Sequence, residues 1–264
     1  MCIKNYRIIQ TINKMKNFIT IYGSLDVFNN DEYNTKHLIT GRIPDQDVIE
    51  RNLTDILLHS STIINVGGGI GAHDLLFTRI NPSISIYTFE PRDEYFCLLS
   101  KNISKNKIEN VIIMNNVLGH ITGPVEFSAS ENQCVCDHED IIEINLGSLI
   151  SNSKTYHIIT LDSLHLLKCD ILFIDLDGFA YMTLIGGIKT IKKFKPVICY
   201  RNINTNIPFI KKTDANTIKE FLIKLEYSII EDNDFIIAKP IVTSLENTEV
   251  QNLINVPDNF IPNV

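Results

Sequence analysis

No run of apolar residues in this chain approaches the ~20 needed to cross a bilayer, so a membrane-spanning protein is not expected. The first residues set Lys4, Arg7, Lys14 and Lys16 among isoleucines, without a continuous apolar stretch or a small-residue cleavage site, so no secretory signal is expected either. Positive charge is in deficit: 24 Lys and Arg stand against 31 Asp and Glu, a formal net charge of −7. That balance speaks against a nucleic-acid surface and for small-molecule chemistry. Cysteine is sparse and scattered (Cys2, Cys97, Cys134, Cys136, Cys169, Cys199), and several lie inside apolar runs, where a thiol behaves as a small hydrophobe. A reducing, cytoplasmic setting follows. Repeats, linkers and a second-domain boundary are also missing, and 264 residues at 44% hydrophobic content suit one domain around one sizeable core.

What is present begins at Ile63-Ile-Asn-Val-Gly-Gly-Gly-Ile-Gly71, an apolar strand running into glycines. Gly67, Gly69 and Gly71 allow a sharp turn and a close approach by a ligand, since no Cβ blocks either. The N–H groups of the next helix then face that ligand. Glu90 ends a second apolar strand, Ile84 to Phe89, where a carboxylate accepts hydrogen bonds from two ribose hydroxyls. The pattern predicts an adenosine-bearing cofactor without naming it, because Gly67, Gly69 and Ala72 also satisfy the dinucleotide fingerprint.

The order of elements narrows the choice. Helices are predicted from Pro44 to Ser60 and from Ala72 to Ile80, and a third opens at Pro91 with Asp93 and Glu94 at its positive end. Val111 to Met114, Ile171 to Ile174 and Val197 to Tyr200 read as strands, with Tyr181 to Phe194 a helix interrupted at Gly186 and Gly187. Such alternation gives a parallel sheet with helices on both faces. After a helix at Ala215 to Leu225, strands Tyr227 to Ile230 and Phe235 to Ala238 flank a four-residue polar turn and must pair antiparallel. A parallel sheet ending in a hairpin looks like a class I methyltransferase more than a dehydrogenase. The expected division is an N-terminal extension and lead-in helix over 1–60, a core over 61–240 interrupted by an insertion covering the site over 123–156, and a tail over 241–264.

The runs Ile64-Asn-Val-Gly-Gly-Gly-Ile-Gly-Ala-His73, Thr88-Phe-Glu-Pro91, Asn115-Asn-Val-Leu-Gly119, Thr160-Leu-Asp-Ser-Leu164, Asp170-Ile-Leu-Phe-Ile-Asp-Leu-Asp-Gly-Phe179 and Lys195-Pro-Val-Ile198 together resemble the FkbM family of S-adenosylmethionine-dependent O-methyltransferases, over roughly residues 60 to 240. The resemblance implies a Rossmann-like α/β fold with a mostly parallel seven-stranded sheet, and methyl transfer to a hydroxyl of a sugar or glycosylated small molecule. It would place Asn65, Gly67, Gly68, Gly69 and Gly71 around the methionine part of the cofactor, Glu90 and Pro91 at the ribose, and Asn116 and Val117 beside the adenine. Three positions depart from the family pattern: Asn65 and Arg201 where acids are usual, and Ala180 where a second acid follows Gly-Phe. These open an alternative, a degenerate fold kept as a binding or scaffolding module. An amide at 65 in place of a carboxylate would forfeit about 1–2 kcal/mol of cofactor affinity.

Asp175 and Asp177 close the fourth strand, and only one of them is expected to serve as the base. Asp175 is the expected proton acceptor and Asp177 the residue that steers substrate, with a turn and helix cap as the plain role for Asp177-Gly178. His73, in the first turn after the glycines, is a third catalytic candidate. Asp175, Asp177 and Asn116 could collect a divalent cation, but no metal is favoured. Cys134, Cys136 and His138 lack the second ligand pair of a zinc site. Lys189, Lys192, Lys193 and Lys195 complement a helix C-terminus, and Lys211 and Lys212 are expected to be solvated. No motif names the acceptor or an oligomeric partner.

Overall fold

Residues 171–174 are all buried, as a strand covered on both faces requires, and their side chains divide by parity. Ile171 and Phe173 enter one hydrophobic cluster; Leu172 and Ile174 enter the other. The same split separates Ile63 from Ile64 one strand away. A central sheet with two cores follows.

The computed structural model describes residues 15–128, 133–135, 154–176, 179–202 and 215–241. The chain opens with β1 (Met15–Ile19) and β2 (Ser24–Phe28), then α1 (Glu32–Leu38) and α2 (Gln46–His59). The alternating core comprises β3 (Thr62–Val66), α3 (Ala72–Ile80), β4 (Ser85–Phe89), α4 (Asp93–Lys105) and β5 (Val111–Met114). Next come β6 (Val117–Leu118), β7 (Gly123–Ser128), β8 (Gln133–Val135) and β9 (Lys154–Ile159), and a 3-10 turn at Leu161–Leu164. The chain closes with β10 (Ile171–Ile174), α5 (Ala180–Gly186), α6 (Ile188–Phe194), β11 (Val197–Arg201), α7 (Ala215–Lys224), β12 (Tyr227–Asp232) and β13 (Phe235–Pro240).

The seven-stranded sheet runs β12-β13-β11-β10-β3-β4-β5. Five strands are parallel, and β13 pairs antiparallel with both β11 and β12, which is the predicted terminal hairpin. Leucines of α2, α3 and α4 pack on one face, and Leu184, Ile191 and Leu222 of α5, α6 and α7 on the other. The order reverses beside β3, so the loops after β3 and β10 meet at the carboxyl edge, where open α/β sheets bind ligands.

Two regions differ from the sequence reading. Residues before the lead-in helix are not merely an extension: β1 and β2 form a hairpin whose Leu25 and Val27 are fully buried in the first core. Its strands are short and polar on one side, so apolar spacing did not reveal them. The insertion is also less separate than expected, because β9 pairs parallel with β6 and antiparallel with β7 in a small four-stranded sheet. The helix over 181–194 is interrupted at Gly186 and Gly187 as its sequence predicts, giving α5 and α6. At Gly186 an added Cβ would lie 1.9 Å from the Gly119 carbonyl oxygen, so only glycine lets α5 pack against that turn. Among the described residues no helix is long and apolar enough to cross a membrane.

Candidate functional site

The glycine loop is built by two different demands. At Gly67 (φ 92°) an added Cβ would lie 2.4 Å from the Asp175 carbonyl oxygen, so this glycine lets β3 and β10 approach each other. At Gly69 (φ 55°) an added Cβ would meet nothing within 4 Å, so this glycine marks the open side of the loop. Gly67 N and Gly68 N both donate to the Phe89 carbonyl at 2.9 Å, and Gly71 caps α3 in the left-handed conformation. The loop is thereby tied to the tip of β4, where Glu90 stands.

Glu90 is fully buried. Its Oε2 accepts from Gly69 N at 2.8 Å, and its Oε1 accepts from Arg92 N at 3.0 Å and Arg92 Nε at 2.9 Å. Burial opposes the charge on Arg92, yet Glu90 outweighs it and raises the guanidinium pKa. Asn115 Nδ2 braces this corner through the Glu90 and Pro91 carbonyls, at 2.9 and 3.1 Å. Asn116 donates to the His157 carbonyl at 3.3 Å, and Val117 is buried as part of β6, so Val117 could meet a ligand only through its backbone.

Asn65 is fully buried, and its Nδ2 donates to Asp74 Oδ1 at 3.0 Å. Thr88 Oγ1 donates to the same oxygen. Asp74 therefore links β3, β4 and the first turn of α3 beneath the glycine loop. The carboxylate missing at position 65 stands beside it at 74, a placement the sequence reading did not anticipate. Burial raises the Asp74 pKa above the usual carboxylate range.

At the ends of β10 and β11 a third group gathers. Arg201 Nε donates to Asp175 Oδ1, while Arg201 Nη2 donates to Asp45 Oδ2 and to Tyr33 Oη, the latter at 3.2 Å. Tyr33 Oη also donates to Asp45 Oδ2 at 3.0 Å. His73 lies between the carboxylates, Nε2 at 3.6 Å from Asp45 Oδ2 and Nδ1 at 3.8 Å from Asp175 Oδ2, with its ring edge-on to Phe173. Burial disfavours the imidazolium, but Asp45 and Asp175 prevail and the pKa of His73 is raised. Burial likewise opposes the Asp45 anion, and His73 with Arg201 pulls its pKa well below the usual range.

Asp45 occupies the N-cap of α2, with φ 59°, but its side chain makes no capping bond and turns to Arg201 instead. His73 is buried between Asp45 and Asp175, with Nε2 also 3.3 Å from the Pro44 carbonyl, which suits a positioning residue better than one touching substrate. Asp45, His73 and Asp175 each bring a donor atom within 4.8 Å of the others, a different trio from the Asp175, Asp177 and Asn116 read from sequence. Arg201 already supplies the positive charge there. Asp177, Cys136, His138, Lys211 and Lys212 lie outside the described residues, and so does the side chain of Cys134.

Sequence reasoning missed Tyr33, Asp45, Asp74 and Arg92 as site residues. Asp74 directly follows the quoted run that ends at His73, and Arg92 directly follows Pro91; both were legible as charges against the loop. Tyr33 had no local signal.

No curated protein matches the chain in sequence. Among solved structures, the FkbM methyltransferase from Methylobacillus flagellatus KT aligns at 13% identity and a TM-score of 0.47, covering 68% of this chain and 43% of that one. The chain thus spans less than half the length of that protein. Precorrin-6y C5,15-methyltransferase from Geobacter metallireducens GS-15 aligns at 17% identity and a TM-score of 0.45, covering 81% of this chain and 97% of that one. The family model described as the methyltransferase FkbM domain matches residues 65–237, from the end of β3 into β13, and the chain belongs to that methyltransferase family.

Proposed function

We propose that this chain is an S-adenosylmethionine-dependent O-methyltransferase acting on a hydroxyl of a sugar or glycosylated small molecule in the cytoplasm. The observation that carries the reading is the Glu90 carboxylate held 2.8 Å from Gly69 N, where the loop has open space at its glycine Cα. The residues fit a nucleoside: Glu90 for ribose hydroxyls, Gly67 to Gly71 for the methionine arm, and the backbone near Asn116 and Val117 for the base. When bound, that cofactor supplies an electrophilic methyl group on a sulfonium. The net charge of −7 supports a small-molecule acceptor over nucleic acid or an anionic membrane surface.

An acceptor hydroxyl must be aligned at about 3–3.5 Å from the methyl carbon, and positioning alone can supply most of the acceleration. Asp175, at the carboxyl end of β10, is the residue proposed to accept its hydrogen bond and then its proton. Arg201 holds one carboxylate oxygen, and His73 faces the other at 3.8 Å. Arg201 and His73 hold the Asp175 carboxylate from both sides, so orientation is its larger contribution. Asp45 and Tyr33 hold Arg201 in place. The Arg201 pairing also favours a second reading, a methyltransferase fold kept as a scaffold, because it partly occupies Asp175.

Incubation with methyl-labelled cofactor and a panel of nucleotide sugars, glycosides and cell extract separates the two. The enzyme reading expects labelled product that is lost in Asp175→Asn while cofactor binding persists. Cofactor binding without transfer to any acceptor would favour the scaffold, and tight NAD binding in place of S-adenosylmethionine would sink both.

A further inference from the structure

The Glu90 carboxylate has no acceptor capacity to spare. Oε1 receives Arg92 N at 3.0 Å and Arg92 Nε at 2.9 Å; Oε2 receives Gly69 N at 2.8 Å and Arg92 Nη2 at 3.3 Å. An ionised carboxylate offers about four lone-pair sites, so a hydroxyl can be added only when a donor leaves. Gly69 N is fixed by the glycine turn and Arg92 N by the N-cap of α4. The Arg92 guanidinium is not fixed in that way, since it hangs on a flexible stem and its side chain keeps 26% of its exposure.

A second resting place adjoins it. The guanidinium carbon lies 3.7 Å from the centroid of the Tyr95 ring, a cation–π contact. Tyr95 Oη in turn donates to Asp31 Oδ2 at 3.3 Å, so another carboxylate stands at the far edge of the same ring. Both Glu90 and Asp31 act on Arg92 electrostatically in the direction that favours its charge.

We propose that Arg92 is a latch on the ribose subsite: a ligand whose cis-diol is held by Glu90 must displace the Arg92 guanidinium, which moves across Tyr95 towards Asp31. The inference rests on the reading that Glu90 receives the ribose of a nucleoside cofactor. Two guanidinium donors leave as two hydroxyl donors arrive, so the number of hydrogen bonds on Glu90 is conserved. The exchange of a charged partner for a neutral one makes the latch a determinant of affinity rather than of chemistry.

Calorimetry with S-adenosylhomocysteine on the full chain tests it. Arg92→Met keeps an apolar stem over Tyr95 and removes both side-chain donors, and affinity is expected to rise about tenfold. Asp31→Asn is expected to weaken binding in the wild-type background and to leave affinity unchanged in the Arg92→Met background, because Asp31 acts on the ligand only through the displaced guanidinium, while the bonds it accepts from Asn34 and Tyr95 are present with or without ligand. The Arg92 Nε–H resonance of the wild type should shift as the ligand is titrated. Binding by Arg92→Met alone would support the latch most directly. Equal or weaker affinity in Arg92→Met with an unchanged melting temperature overturns the latch and leaves the cofactor reading standing. No binding by either protein overturns both. Should Arg92→Met not fold, the resonance decides: an Nε–H signal unmoved at ligand saturation refutes displacement.

Discussion

Replacing Asp74 by asparagine is expected to stabilise this protein at neutral pH, although it removes a buried carboxylate that accepts two hydrogen bonds. Asp74 is fully buried, and Oδ1 takes both donors, from Asn65 and from Thr88. Asp74 Oδ2 and Asn65 Oδ1 are buried and have no hydrogen-bond partner among the described residues. An amide at 74 keeps one acceptor for both donors and puts an NH2 where the orphan Oδ2 stands, offering Asn65 Oδ1 the donor it lacks. A protonated carboxyl would offer the same pattern, consistent with burial raising the Asp74 pKa. A carboxyl whose folded pKa lies above its unfolded value of about 3.9 contributes stability that is complete below that value and is lost as pH rises through the folded pKa. Above its folded pKa the wild type therefore carries the cost of orphaned buried acceptors, about 1–3 kcal/mol, and the amide relieves it. At about 2–4 °C per kcal/mol for a domain of this size, roughly 2 kcal/mol raises the melting temperature by about 4–8 °C. Thermal unfolding at pH 4 and pH 7.5 reads the effect, with the advantage of Asp74→Asn small at the lower pH. An equal gain at both pH values, or a less stable variant at pH 7.5, would refute the reasoning.

The opposite change one strand away should fail. Asn65→Asp places a second carboxylate about 3 Å from Asp74 and removes the donor to it, so a loss of about 2–4 kcal/mol in urea denaturation at pH 7 is expected, in place of the affinity gain that the sequence pattern suggests. Gly67→Ala, at φ 92° and with its Cβ 2.4 Å from a backbone oxygen, should cost roughly 3 kcal/mol or more in thermal unfolding; Gly69→Ala should cost about 1 kcal/mol while weakening S-adenosylhomocysteine binding in calorimetry. His73 has a folded pKa raised above about 6.5, so its contribution is complete below that pH and is lost as pH rises through the folded value; melting temperatures should fall across that window in the wild type and stay flatter in His73→Gln.

The sheet was legible because its central strands are buried on both faces and separated by helices of clear period, so Ile171 to Ile174 and Ile63 to Val66 stand out as apolar runs of strand length. The terminal hairpin was legible for a simpler reason: four polar residues cannot carry a parallel crossover. The β1 and β2 hairpin was not, since Met15 to Phe28 alternates weakly and owes its place to side chains 76 to 82 residues away, among them Asn102, which accepts from Asp26 N at 2.8 Å, and Asn106, which accepts from Ser24 N at 2.9 Å. Site residues followed the same division. Gly67, Gly69 and Glu90 announce themselves through spacing along one βαβ unit. Asp45, Tyr33 and Arg201 meet only after α1, α2 and the last parallel strand have packed, and no local pattern carries that meeting.

Arg201 shows why a departure from a family pattern has to be weighed with its neighbours. Taken alone, an arginine in place of an acid at the end of β11 weighs against catalysis. In the fold it faces Asp45 and Asp175 together, with its face over the Phe235 ring at 4.5 Å. Keeping an acid at 201 would set three carboxylates in a pocket where the side chains of Asp45 and Asp175 are only 15% exposed, and one of them would be forced to stay protonated. With arginine, two anions are balanced by the guanidinium and by a histidine whose pKa is raised. Asp45 and Arg201 are thus one exchange rather than two oddities: the arginine makes a second buried carboxylate affordable, and that carboxylate, rather than a capping bond, explains why the N-cap of α2 sits in the left-handed region. The pair leaves Asp175 fixed in orientation, which is the part of its proposed role that methyl transfer depends on most.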